Sequence, residues 1–157
     1  PLILHSKEKI YFLLYIDSKL QKSYLMLMPL SKIKIHLRKN NLRPTKQRIA
    51  IFDILFSDHN WHFSADIIQQ KCFEKGIKIS AGTIYNVLND FHAKGLISKV
   101  MIDDDRAWFD TNTSDHFHVY DTNNNKLFDI EPKDINLSLP KKVKDSEIKN
   151  IEILIKI

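Results

Sequence analysis

Three helix starts in succession constrain this chain more than any other feature. Thr45, Ser64 and Ser80 each offer a side-chain oxygen to the free amides of a first helical turn, and each stands ahead of an apolar stripe. After Thr45 the stripe is Ile49, Phe52, Leu55 and Phe56. After Ser64 it is Ile67, Ile68 and Cys72, with Phe73 at its margin. After Ser80 it is Ile84, Leu88 and Phe91. Gly76 and Gly95 stop the second and third helices. A short basic helix from Ser31 to Asn40 precedes them, with Ile33 and Leu37 apolar and Ile35 at its margin. Two strand-like runs follow, Leu96 to Ile102 and Arg106 to Thr111, around the polar tip Asp103-Asp104-Asp105. Helices followed by a hairpin are the element order of a winged helix-turn-helix, expected over residues 31–112.

The pattern changes at residue 113. His116 to Asp121 and Lys126 to Ile130 read as strands, Pro132 to Leu139 as a short helix, and Glu147 to Ile157 as a strand with Ile151, Ile153, Ile155 and Ile157 on one face. A unit of residues 113–157 with so few elements buries little by itself, so a second copy is the expected partner. The expected class is α+β: a winged helix-turn-helix followed by a small α/β dimerisation domain. Residues 1–30 carry little patterning. They read as an N-terminal appendage, or as an upstream extension before a start at Met26 or Met28.

Charge is divided along the chain. Residues 31–100 carry twelve basic and five acidic side chains, whereas residues 101–157 carry eight and twelve. A basic middle suits a polyanion, and an acidic end suits a cation or another subunit. The apolar run Ile10 to Ile16 is far short of the roughly 20 residues needed to span a bilayer. One cysteine, Cys72, excludes an intrachain disulfide and a four-cysteine zinc site, and points to a reducing, cytoplasmic setting. With three glycines and no H-E-x-x-H, nucleophile elbow or phosphate loop, nothing argues for an enzyme.

The helix from Ser80 suits the major groove, where each base pair shows a distinct donor and acceptor pattern. Its outer face carries Thr83, Tyr85 and Asn86. Asparagine can pair with adenine, and tyrosine can meet phosphate or a thymine methyl. Arg43, Lys46 and Arg48 gather at another helix start, where phosphates are gripped, and Arg106 lies on the wing.

His116-Phe117-His118 is an H-x-H on a strand. Alternation puts both imidazoles on one face, roughly 7 Å apart at Cα, within reach of one ion. Two histidines are half a site. His62, Asp103 and Asp129 are the further candidates. A metal drawing on both halves would set their relative angle. The other reading is a winged-helix module whose histidines are structural and which has no metal response.

These residues also match a family. Residues 31 to about 156 resemble the ferric uptake regulator family, closest to its haem-responsive iron response regulator branch. The carrying stretches are Leu42 to Arg48, His62 to Asp66, Ser80 to Asn89, Trp108 to Asn112 and Asp115 to Tyr120. The resemblance implies a dimeric winged-helix regulator of iron or haem homeostasis, acting on a double-stranded DNA operator. It implies an interdomain site for haem or for Fe(II), Mn(II) or Zn(II), at His62, Asp103, His116, His118 and Asp129. The family's Cys-x-x-Cys zinc pair corresponds to Asp121 and Asn124, so the resemblance implies no cysteine-type structural zinc here. Its second, strand-borne site needs an acidic residue where this chain has Phe117. The haem branch's three consecutive histidines become His116-Phe117-His118, and Cys72 is followed by Phe73 where that branch has proline.

Overall fold

A computed structural model describes residues 29–57, 60–104, 106–144 and 147–157. The expected appendage, apart from its last two residues, lies outside these.

Four helices open the described chain: α1 (Leu30–Lys39), α2 (Lys46–Phe56), α3 (Ala65–Glu74) and α4 (Ala81–Ala93). Their starts follow the side-chain caps. Thr45 accepts from the Arg48 amide at 3.2 Å, Ser64 from Ile67 at 3.4 Å and Ser80 from Thr83 at 3.3 Å. α1 has Pro29 at its cap position and no side-chain cap bond. It ends with Asn41 at φ 58°, where the Leu42 amide turns back to the Leu37 carbonyl at 2.9 Å. Gly95 closes α4 at φ 68°, a conformation in which a side chain would be strained. Replacing Ser80 with alanine should cost about 1 kcal/mol, read as a lower midpoint in urea unfolding with an unchanged slope.

The strands form two sheets. β1 (His62–Phe63), β2 (Ser98–Met101) and β3 (Ala107–Asp110) make an antiparallel sheet in the order β1-β3-β2. The β2–β3 hairpin is the expected one, whereas β1 is unexpected, its two residues being too few for any periodicity to register. β4 (Phe117–Asp121), β5 (Lys126–Ile130) and β6 (Leu154–Lys156) make the second sheet, ordered β5-β4-β6, with β6 parallel to β4. The expected tail strand is thus only three residues long. The expected short helix is a 3-10 turn at Pro132–Asp134, and α5 (Lys141–Lys144) follows it.

The main core joins the helices to the first sheet. Leu37, Ile51, Leu55, Phe63, Ile68, Ile84, Leu88, Phe91 and Phe109 are completely buried. Phe73 is a correction: it is 78% exposed, because Ile68 and Cys72, four residues apart, define the inward face and Phe73 is turned off it. Ile35, between the buried Ile33 and Leu37, is 51% exposed for the same reason. A second cluster joins the two sheets: Ile102 and Trp108 of the hairpin pack with Tyr120 and Leu127 of the second sheet. The C-terminal region leaves Phe128, Ile151, Ile155 and Ile157 exposed.

Candidate metal centre and nucleic-acid face

Strand register builds a cluster of side chains. β1 pairs with β3 so that His62 lies opposite Asp110, and β4 pairs with β5 so that His118 lies opposite Asp129. His116 stands one residue before β4. Five potential donor atoms, from His62, Asp110, His116, His118 and Asp129, all lie within 4.8 Å of one another.

His62 Nε2 is 2.7 Å from Asp129 Oδ1, and His116 Nε2 is 2.9 Å from Asp110 Oδ2. The Nε2 atoms of His116 and His118 are 2.9 Å apart. His116 Nδ1 lies 2.7 Å from the Ser114 carbonyl oxygen, so Nδ1 is the donor there and Nε2 is turned towards the cluster. His62 Nε2 and Asp110 Oδ2 are sealed from solvent and make no hydrogen bond of acceptable geometry despite their close neighbours. For Asp129, burial raises the carboxyl pKa, but His62, the charge of His116 and the Asn112 amide outweigh it and bring it down to about 2. It is therefore held as the carboxylate, the form that ligates a cation.

This donor set fits a divalent ion. Two donors about 2.1 Å from one ion are at most about 4.2 Å apart, so the widest pairs, up to 4.8 Å apart, would have to draw in by about half an ångström or more to close the set. An ion would also satisfy the orphaned His62 and Asp110 atoms, whose isolation is otherwise costly.

Four of the five expected ligands are brought together, and Asp103 is not. It stays at the hairpin tip, where Oδ2 lies 2.5 Å from Arg106 Nη2 and Oδ1 accepts from the Arg106 amide at 2.9 Å. Asp110 stands in the cluster in its place, because antiparallel pairing aligns the far end of β3, not the tip, with His62. A sequence signal existed: Asp110 lies in the quoted stretch Trp108 to Asn112, between the other candidate ligands. Asp121 and Asn124, which the resemblance sets against the family's cysteine pair, bind each other across the β4–β5 turn, with Asn124 Nδ2 donating to Asp121 Oδ2 at 2.7 Å.

The DNA-facing candidates divide by their engagement. Tyr85 and Asn86 are exposed on α4, as are Arg43 and Lys46 at the start of α2. The Thr83 hydroxyl lies 2.9 Å from that of Ser80, within the cap. Arg48 is bound within the chain: Nη2 is 2.5 Å from Asp90 Oδ2 on α4, and Nη1 donates to the Arg43 carbonyl at 3.1 Å. That pair ties the start of α2 to the outer side of α4. Arg106 is turned towards the second sheet, with Nη1 donating to the Tyr120 hydroxyl at 3.4 Å and the guanidinium 5.9 Å from the ring.

Known proteins share this sequence and fold. The peroxide-responsive repressor of Staphylococcus epidermidis is 39% identical over 94 residues, which span 60% of this chain and 62% of the repressor. The ferric uptake regulation protein of Bordetella parapertussis is 29% identical over 111 residues, 70% of this chain and 80% of that protein. The solved ferric uptake regulator of Pseudomonas aeruginosa with manganese superposes with a TM-score of 0.62 at 23% identity, over 79% of this chain and 95% of that one. At that identity the likeness speaks for the fold alone, and the fold is the expected α+β. No helix among the described residues is long and apolar enough to cross a membrane. The sequence model of the ferric uptake regulator family matches residues 39–157, and the chain belongs to that family.

Proposed function

We propose that this chain is a transcription regulator that binds double-stranded DNA as a homodimer, with an affinity set by Fe(II), Mn(II) or Zn(II) at the five-donor centre. The observation that carries this reading is the origin of the donors. His62 and Asp110 belong to the sheet of the helical half, whereas His118 and Asp129 belong to the second sheet. The kinds of protein it is similar to, a peroxide-responsive repressor and a ferric uptake regulation protein, support a regulator rather than an enzyme.

A bound ion supplies positive charge that all five donors can share. The chain's own residues do the rest. Asp110 and Asp129 contribute negative charge, the Ser114 carbonyl aims His116, and the pairing of β4 with β5 holds His118 beside Asp129. Drawing these side chains together draws the two sheets together, and with them α4 relative to the second sheet. Haem, suggested by the iron response resemblance, suits the cluster less well. A porphyrin needs a flat slot beside an axial ligand, whereas these donors converge on a volume the size of one ion.

The dimer reading is supported by the exposed Phe128, Ile151, Ile155 and Ile157, an apolar set that a second copy would cover. Two copies would present two α4 helices to successive half-sites. Regulation of iron homeostasis in particular follows from the resemblance. Which metal changes the operator affinity of the metal-free protein is its test.

The nucleic-acid reading is tested with an operator selected by the chain from random duplexes. Asn86→Ala should bind that operator about 1–3 kcal/mol more weakly and lose preference at one position. Lys46→Ala should weaken all duplexes alike and flatten the salt dependence. Unchanged affinity and preference in Asn86→Ala would remove α4 as the reading helix.

A further inference from the structure

We propose that Lys99 is a positioning residue for the DNA-reading face, its ammonium fixing how α4 presents Tyr85 to a base pair. The proposal rests on the reading of α4 given above. Lys99 lies on β2, opposite Phe109 of β3. Its Nζ donates to Asn89 Oδ1 at 3.2 Å and sits 5.5 Å from the centroid of the Tyr85 ring. It is also 5.8 Å from the ring of the fully buried Phe109. The side chain therefore crosses from the core edge of the first sheet to the outer face of the helix.

Tyr85 and Asn89 are four residues apart, so they lie one turn apart on one face of α4. Tyr85 is 44% exposed. A tyrosine on an open helix surface has several rotamers to lose on binding. A cation against the ring face favours one of them, and the bond to Asn89 holds the cation in place. The same contacts engage the ammonium with groups of this chain, which separates Lys99 from a lysine that grips a phosphate.

The test compares the full chain with Lys99→Met, Lys99→Arg, Tyr85→Ala and the Lys99→Met/Tyr85→Ala double variant, on the selected operator and on random duplex DNA. Lys99→Met should lose roughly five- to thirtyfold in operator affinity, the range of one cation–π contact and one hydrogen bond. Its affinity for random DNA and its salt slope should stay the same. In the Tyr85→Ala background the substitution should add nothing further. Lys99→Arg, which keeps a cation and a donor, should recover most of the loss. Equal loss on both DNAs, with the slope of log affinity against log salt reduced by about 0.9, would make Lys99 a phosphate contact and overturn the proposal. So would losses that simply add to those of Tyr85→Ala. In free protein, Lys99→Met should shift the Tyr85 ring protons and the Asn89 side-chain amide in NMR spectra, and unchanged resonances would also overturn it. This reading needs no DNA. A parent chain that selects no operator would therefore sink the regulator reading, while the spectra would still decide whether Lys99 holds Tyr85.

Discussion

Asp110→Asn is expected to weaken binding of Mn(II) or Zn(II) by about a hundredfold or more, and Asp103→Asn to leave it unchanged. Loss of an outer partner to a ligand costs about 10–100-fold, and Asp110 is placed to ligate directly. Its Oδ2 is buried, lies 2.9 Å from His116 Nε2 and makes no acceptable hydrogen bond. Asparagine keeps the shape and can still accept the Asn112 amide, which now donates to Asp110 Oδ1 at 2.7 Å. The variant should therefore fold, and the loss should report the missing charge. Asp103 binds Arg106 at the exposed tip, and its replacement should loosen that tip. Competition against a fluorescent chelator measures both. Equal losses, or a larger one at Asp103, would move the metal centre off the cluster described here.

The contrast between these two aspartates shows where the sequence stopped being legible. Both lie in the hairpin region; membership of the stretch Trp108 to Asn112 favours Asp110, but no local pattern shows which of the two meets His62. What separates them is the pairing of His62 with Asp110 through β1, a strand of two residues far away in the chain. The caps at Thr45, Ser64 and Ser80 were legible because a cap and its amide are three residues apart. The stripes of α2 and α4 were legible because their period is local. Phe73 failed at the edge of a stripe, where hydrophobicity no longer reports direction. Charge alone marks Arg48 and Arg106 as DNA-facing candidates, and charge does not reveal a partner in another element, such as Asp90 on α4 or Tyr120 on β4. Lys99 carries no motif, and its relation to Tyr85 exists only once β2 lies beside α4. Four members of the metal cluster are legible because H-x-H alternation is local, and because His62, ahead of a helix, and Asp129, on the neighbouring strand, stand out as further candidates that the resemblance then gathers into one site.

Combined replacement of His116 and His118 by alanine is expected to abolish any metal dependence of DNA binding. In the unsubstituted chain, saturation with Mn(II), Zn(II) or anaerobic Fe(II) should change operator affinity by about 5–150-fold, the ordinary span of coupling between two sites. The ion acts only through its differential affinity for the arrangements that the two sheets can adopt. Its grip on the second sheet would run through His116, His118 and Asp129. Without the two imidazoles, Asp129 alone remains on that side, facing His62 and Asp110 of the first sheet. Such a remnant can hold a cation weakly, but it has too few bonds to set the angle between the sheets. Without metal, the double variant should bind the operator as the parent does, because α4 and the start of α2 are untouched. Reciprocity gives an independent check: operator DNA should change the parent's metal affinity by the same factor that the metal changes operator affinity, and should leave the variant's residual metal binding unchanged. A parent whose operator affinity ignores every one of these ions would leave the histidines structural, and a double variant that still responds would place the sensing elsewhere in the chain.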